Sequence, residues 1–178
     1  MENTLRITVV SRRLKMVCIG LICCLPVLCA IFWILFNKIY PMVPMIPLPV
    51  RVNHDVTAFP RLLAFLSDLV PLAVVILGLL RLKTLFSLYE KGQIFTKENV
   101  DCYRALGRIL MLWVICDIVN RSLLGIALTL DNPPGTRLLV IGLDGGDFSG
   151  IFVGTVILII AWVMDEARKI QEDHALFI

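Results

Sequence analysis

The chain has 178 residues, 58% hydrophobic and 17% charged, with 17 Lys and Arg against 14 Asp and Glu for a net charge of +3. That composition is far from a soluble domain, in which about 25% of residues are charged, and it excludes water as the main solvent. A bilayer core about 30 Å thick is crossed by roughly 20 helical residues, and backbone groups at that depth have no water to bond, so each crossing must be a helix.

In chain order, a basic arm with Arg6, Arg12, Arg13 and Lys15 precedes Met16 to Phe36, a first span without a charge. Such an arm also heads secretory signals. Here the apolar run is longer than theirs, and Asn37-Lys38-Ile39-Tyr40 offers no small-residue cleavage pattern. Cys18 and Cys29 follow Val17 and Leu28, where a lipoprotein signal requires a small residue, so an uncleaved anchor is expected. The first loop, 37–60, opens with Pro41, Pro44, Pro47 and Pro49, a spacing that excludes helix and suits an extended path along the surface. The second span, 62–80, carries one acid, Asp68.

The segment 81–108 holds a helix stop followed by a helix start. Leu82 to Glu90 continues the second helix, Lys91 and Gly92 suit its C-terminus, Thr96 can cap the next helix, and Glu98 falls in that helix's positive first turn. Phe95 and Val100 are spaced as a hydrophobic staple across that cap. A structured helical hairpin is therefore expected between the second and third spans, with Tyr89, Gly92, Phe95, Thr96 and Asn99 as its candidate partner-binding residues.

The third span, 109–130, carries Asp117, Asn120 and Arg121. Asp117 and Arg121 are four apart and share a helix face. At about 1.5 Å per residue, Asp68 lies about 9 Å and Arg121 about 13 Å from the same ends of their spans. A polar cluster of Asp68, Asp117, Asn120 and Arg121 is expected between the second and third helices, fixing their pairing or, in the alternative, relaying protons or ions. The third loop has turns at 131–135 and 144–147 around apolar Leu138 to Leu143, for which a short strand and a re-entrant segment are both open. Asp144-Gly145-Gly146-Asp147 lacks the further spaced acids of a calcium loop and is expected to be a turn into the last span, 148–164. Gly146, Gly150 and Gly154 recur every four residues as a candidate packing face, within the bundle or in a homodimer. Charged residues from Asp165 to Asp173, interleaved with Ala167 and Ile170, extend the last helix as a tail.

Lys and Arg mark the cytoplasmic side. The arm, the 81–108 loop and the tail hold twelve, against four in the outer loops (Lys38, Arg51, Arg61 and Arg137), which predicts both ends in the cytoplasm and assigns the basic arm to anionic lipid and not to nucleic acid. Cys18, Cys23, Cys24, Cys29, Cys102 and Cys116 all fall in spans or on the cytoplasmic side, where disulfides are not expected, and no CxxC pair is present. They are expected to be packing residues, with Cys18 and Cys102 as the candidates for lipidation. His54 and His174 have no companions with metal-ligand spacing, and there is no HExxH or GxSxG. No catalytic, cofactor-binding or metal-ligating residue is assigned.

The run Tyr89-Glu90-Lys91-Gly92-Gln93-Ile94-Phe95-Thr96-Lys97-Glu98-Asn99-Val100, the Leu106-Gly107 pair after it and the tail Ala167 to Ile178 resemble DUF2975, a family of small bacterial membrane proteins of unknown function. The resemblance implies four membrane helices in the bacterial inner membrane, no established activity, and the company of small helix-turn-helix regulators as cytoplasmic partners. The expectation is an all-α, single-domain polytopic membrane bundle over 1–178, acting as a non-enzymatic regulatory or interaction protein through the 81–108 loop and the tail. The alternative is a small oligomeric transporter or channel using the buried charges.

Overall fold

A computed structural model describes residues 2–43, 48–50, 52, 55–94, 96–133 and 137–175. Four long helices carry the fold: α1 (Glu2–Ile34), α3 (Ala58–Glu90), α4 (Lys97–Leu128) and α5 (Gly145–Ala175), with a short α2 (Phe36–Ile39) continuing α1 after a break at Leu35. Each long helix is long and apolar enough to cross a membrane. The chain is an all-α, multi-pass membrane protein, and no strand occurs among the described residues, 138–143 included.

The side-chain distribution is that of a protein solvated by lipid. Met16, Ile34, Ile115, Phe152 and Trp162 are all more than half exposed, yet they lie within the apolar helices. With lipid tails as apolar as these side chains, association must rest on close packing and polar contacts between helices. Pro26 and Pro71 lie inside α1 and α3; a span tolerates the lost backbone bond where neighbours supply a replacement.

The helices pack antiparallel as a row: α1 on α3, α3 on α4 and α4 on α5, with no more than marginal contact between other pairs. At one end, the loop end, the main apolar core joins α1, α3, α4 and the first loop through Trp33, Phe36, Val50, Val56, Ala64, Leu124 and Leu128. Asn37 closes this core by bonding the Val56 backbone in both directions, its Nδ2 donating to the carbonyl at 3.1 Å and its Oδ1 accepting from the amide at 3.2 Å. Asp131, from the other loop, accepts from the Thr57 amide at 3.0 Å and from its hydroxyl, so it caps α3 from outside.

The other end is the hairpin end, where α3 gives way to α4. Thirty-three residues of α3 rise about 50 Å, roughly 20 Å more than a bilayer core requires. Here ion pairs take over from apolar packing. Glu90 accepts from Arg12 at 3.0 Å and from Lys15, while Asp165 accepts from Arg104 at 2.7 Å and Arg168 at 3.1 Å.

Candidate functional site

The tip between α3 and α4 is built by the residues of the 89–100 run. Gly92 has φ +75°, the left-handed conformation that glycine adopts without strain. It follows Lys91 at the end of α3, the Gln93 amide bonds the Leu88 carbonyl at 3.0 Å, and the Gly92 amide bonds that of Tyr89 at 3.0 Å, a Schellman closure. Thr96 caps α4 by accepting from the Asn99 amide at 3.4 Å. The Asn99 side chain, fully buried, donates to the carbonyls of Gln93 at 2.6 Å and Ile94 at 2.7 Å, and so satisfies the turn from inside. Tyr89 and Tyr103 join hydroxyls at 2.7 Å across the base. Tyr89, Gly92, Thr96 and Asn99 therefore set the shape of the tip. Asn99 cannot meet a partner directly, because it has no exposed surface. Phe95, and with it the staple to Val100, lies outside the described residues. Lys91, Gln93, Lys97 and Glu98 present the exposed surface. Beside the tip, Ile7, Val10, Ser11, Leu14, Phe86 and Tyr89 line an apolar groove of about 380 Å³ between the start of α1 and the end of α3.

The intramembrane polar residues divide into two sets. Asp68 accepts from Trp33 Nε1 at 2.7 Å and from Asn120 Nδ2 at 2.8 Å, while the Ser67 hydroxyl bonds Asn120 Oδ1, so one network links α1, α3 and α4. Arg121 turns the other way, toward α5. It pairs with Asp117 at 3.3 Å on its own helix and with Asp144 and Asp147 at the start of the next. Asp144 and Asp147 also cap each other, each side chain accepting from the other's amide at 3.0 and 2.8 Å, so the 144–147 turn is the N-terminal box of α5. Trp33, Asp144 and Asp147 were not among the candidate site residues of the sequence. Pairing by spacing along one helix reaches only Asp117, whereas Trp33 is brought in by the packing of α1 on α3, and Asp144 and Asp147 by how the chain returns. That return is an extended segment beside α4, where the Leu138 amide donates to the Thr129 hydroxyl at 3.2 Å and the Ser122 hydroxyl donates to the Val140 carbonyl at 2.8 Å. Consequently α5 begins level with Arg121, two turns before α4 ends.

Of the glycines, Gly150 and Gly154 face α4 and Gly146 does not. A methyl group on Gly150 would lie 2.8 Å from Val114 Cγ2, and one on Gly154 3.3 Å from the Gly107 carbonyl oxygen. Gly107 supplies the matching half, since a methyl there would meet Leu158 at 2.6 Å and the Gly154 carbonyl at 3.1 Å. Two backbones thus touch at Gly107 and Gly154, while the nearest neighbour of Gly146 is Asp144 in its own turn. Cys18 and Cys102, the lipidation candidates, are 3% and 5% exposed, too buried to present sulfur to an acyl donor. No group of His, Cys, Asp and Glu that could hold a metal ion occurs among the described residues.

The family described as protein of unknown function, DUF2975, matches residues 51–178. The chain belongs to this family. No curated protein and no solved structure matches it. The DUF2975 match takes in the tip, α4 and α5, together with Asp68, Asn120, Arg121 and the Gly107 to Gly154 crossing. It begins after α1, which supplies Trp33 to Asp68 and Arg12 and Lys15 to Glu90.

Proposed function

We propose that this DUF2975 protein is a non-enzymatic regulatory or interaction protein of the bacterial inner membrane, with both ends in the cytoplasm, which engages a cytoplasmic partner through the 81–108 hairpin and the tail. The observation that carries the reading is the investment in the tip. Gly92, Thr96 and Asn99 spend their side chains or backbone freedom on giving a short turn one shape, beyond the reach of the bilayer. Gly92 and Thr96 are caps that any two helices can use, but the fully buried Asn99 ties down the turn between them in addition. Arg104 ties Asp165, at the start of the tail, to the base of the hairpin, which supports tail and hairpin acting together, and the groove lined by Val10, Leu14 and Phe86 adds an apolar patch beside the tip. The excess of Lys and Arg at this end supports its cytoplasmic placement. A small helix-turn-helix regulator is the partner the family resemblance suggests.

The test is photocrosslinking in intact membranes from position 93, with a control at Asp55 in the first loop. Capture of one cytoplasmic protein from Gln93, lost when Asn99→Ala loosens the tip while insertion stays intact, is the expected result. Capture of the protein itself alone, or equal capture from Asp55, would overturn it. One observation favours the alternative of transport: Asp68 sits within a span on neutral donors. A row of four helices encloses no path within one copy, so that reading requires an oligomer, and loss of flux in Asp68→Asn with capture from Gln93 unchanged would establish it.

A further inference from the structure

At the loop end α1 and α3 part and leave an apolar cleft of about 400 Å³, walled by Ala30, Trp33, Ile34, Ala58, Leu62 and Phe65, with Arg61 at its edge. Two walls are alanines, whose methyl groups leave the space unfilled, and the volume is within the range of about 300–1,000 Å³ that holds small ligands. The depth is marked by the run Phe32, Trp33, Phe36 and Tyr40, with rings in edge or stacked contact at 5.1 to 5.7 Å. Amphipathic Trp and Tyr concentrate where lipid headgroups meet chains. Arg61 reaches from α3 across to α1, donating to the Ile34 carbonyl through Nη1 and to the Thr57 carbonyl through Nε, both at a long 3.4 Å. Among the described residues it pairs with no carboxylate, unlike Arg12, Arg104, Arg121 and Arg168. An apolar slot at the boundary of the bilayer, with one uncompensated guanidinium over its mouth, is the complement of a single chain carrying a single phosphate.

We propose that this cleft binds an anionic phospholipid, one acyl chain along Trp33, Leu62 and Phe65 and the phosphate on Arg61. A soluble anion has nothing to offer the apolar walls. A zwitterionic lipid brings its own ammonium to compete with Arg61, and a planar guanidinium recognises phosphate by paired hydrogen bonds. The inner wall is Trp33, whose indole N–H holds Asp68. The bound chain therefore lies one contact from the intramembrane carboxylate and from Asn120 on α4 beyond it.

Trp33 is also the probe. The sequence has three tryptophans, so Trp113→Phe with Trp162→Phe leaves Trp33 as the sole emitter. This protein is reconstituted in phosphatidylcholine vesicles containing rising fractions of chain-brominated phosphatidylglycerol or, in parallel, chain-brominated phosphatidylcholine. The expected result is half-quenching of Trp33 at a several-fold lower mole fraction of the brominated anionic lipid, with the difference abolished by Arg61→Gln and partly kept by Arg61→Lys. Ala30→Leu, which fills the cleft and leaves Arg61 in place, should raise the half-quenching fraction to the phosphatidylcholine value with helix content unchanged. Equal quenching by the two lipids in the parent, a preference that survives Arg61→Gln, or one unaffected by Ala30→Leu would each overturn the proposal.

Discussion

Asp68 shows how an acidic side chain is held within a span where, among the described residues, no cation pairs with it. Two neutral N–H groups converge on it, one from Trp33 and one from Asn120, and each comes from a different helix. Hydrogen bonds between membrane helices contribute about 0.6 kcal/mol on average and reach about 1.7, because the separated helices also find partners. Asp68→Ala strands both donors and should cost about 1–3 kcal/mol, the penalty for buried groups left unpaired; Asp68→Asn, which keeps an acceptor, should cost less than 1 kcal/mol. Steric-trap unfolding in bilayer discs reads the difference, and equal costs would mean that the network does not hold α1 to α3 and α4. Glu90 is the opposite case, a carboxylate at the hairpin end held below its usual range by hydrogen bonds from Lys15 and then Arg12. Since its pKa is lowered on folding, its contribution is complete above the ordinary carboxylate range and disappears as pH falls through the lowered value. Acid should therefore loosen the start of α1 from the end of α3, seen as new proteolysis between Arg12 and Lys15, and Glu90→Gln should show that cleavage at neutral pH.

At the scale of elements, the tip was legible because its chemistry is local. A glycine after Lys91, a threonine before Lys97 and an acid in the first turn announce a stop and a start by rules that need no tertiary knowledge. The long helices were legible for a related reason: hydropathy is a property of a segment, and lipid imposes helix on any segment apolar enough to cross. The crossing of α4 and α5 was half legible. Gly150 and Gly154 declare a small-residue face, but Gly107 has no second glycine within two turns of it in α4 and becomes meaningful only when α5 is laid against it. Gly107→Leu should push the helices apart and cost about 1–3 kcal/mol, the usual penalty of overpacking. Gly20, with open space where a side chain would go, should accept alanine with no loss. The same unfolding measurement ranks the two, and a tolerated Gly107→Leu would mean that the two backbones do not touch in the membrane.

Over the whole molecule, the α3–α4 hairpin is a spine with one helix on either side, and the partners of its polar residues are fixed by that arrangement. Helix rotation and the path of the third loop are invisible in hydropathy. The expected single cluster is therefore two networks, Asp68 facing α1 and α4, and Arg121 facing α5. Arg121 gathers three carboxylates, of which Asp147 is 1% exposed, and two of the three lie at the start of α5. Removing it in Arg121→Gln leaves Asp147 buried with no positive charge near it, a change that costs about 3–5 kcal/mol when a buried pair is broken from one side. The strain should appear first next to the lost ion pairs, in the extended segment before Asp144, which two side-chain hydrogen bonds hold to α4. Trypsin cleavage at exposed Arg137 should then accelerate while the spine stays intact. Arg121→Gln combined with Asp147→Asn removes the stranded charge together with its partner and should recover part of the loss. A double variant no more stable than Arg121→Gln alone would show that Arg121 holds α5 by shape and not by charge.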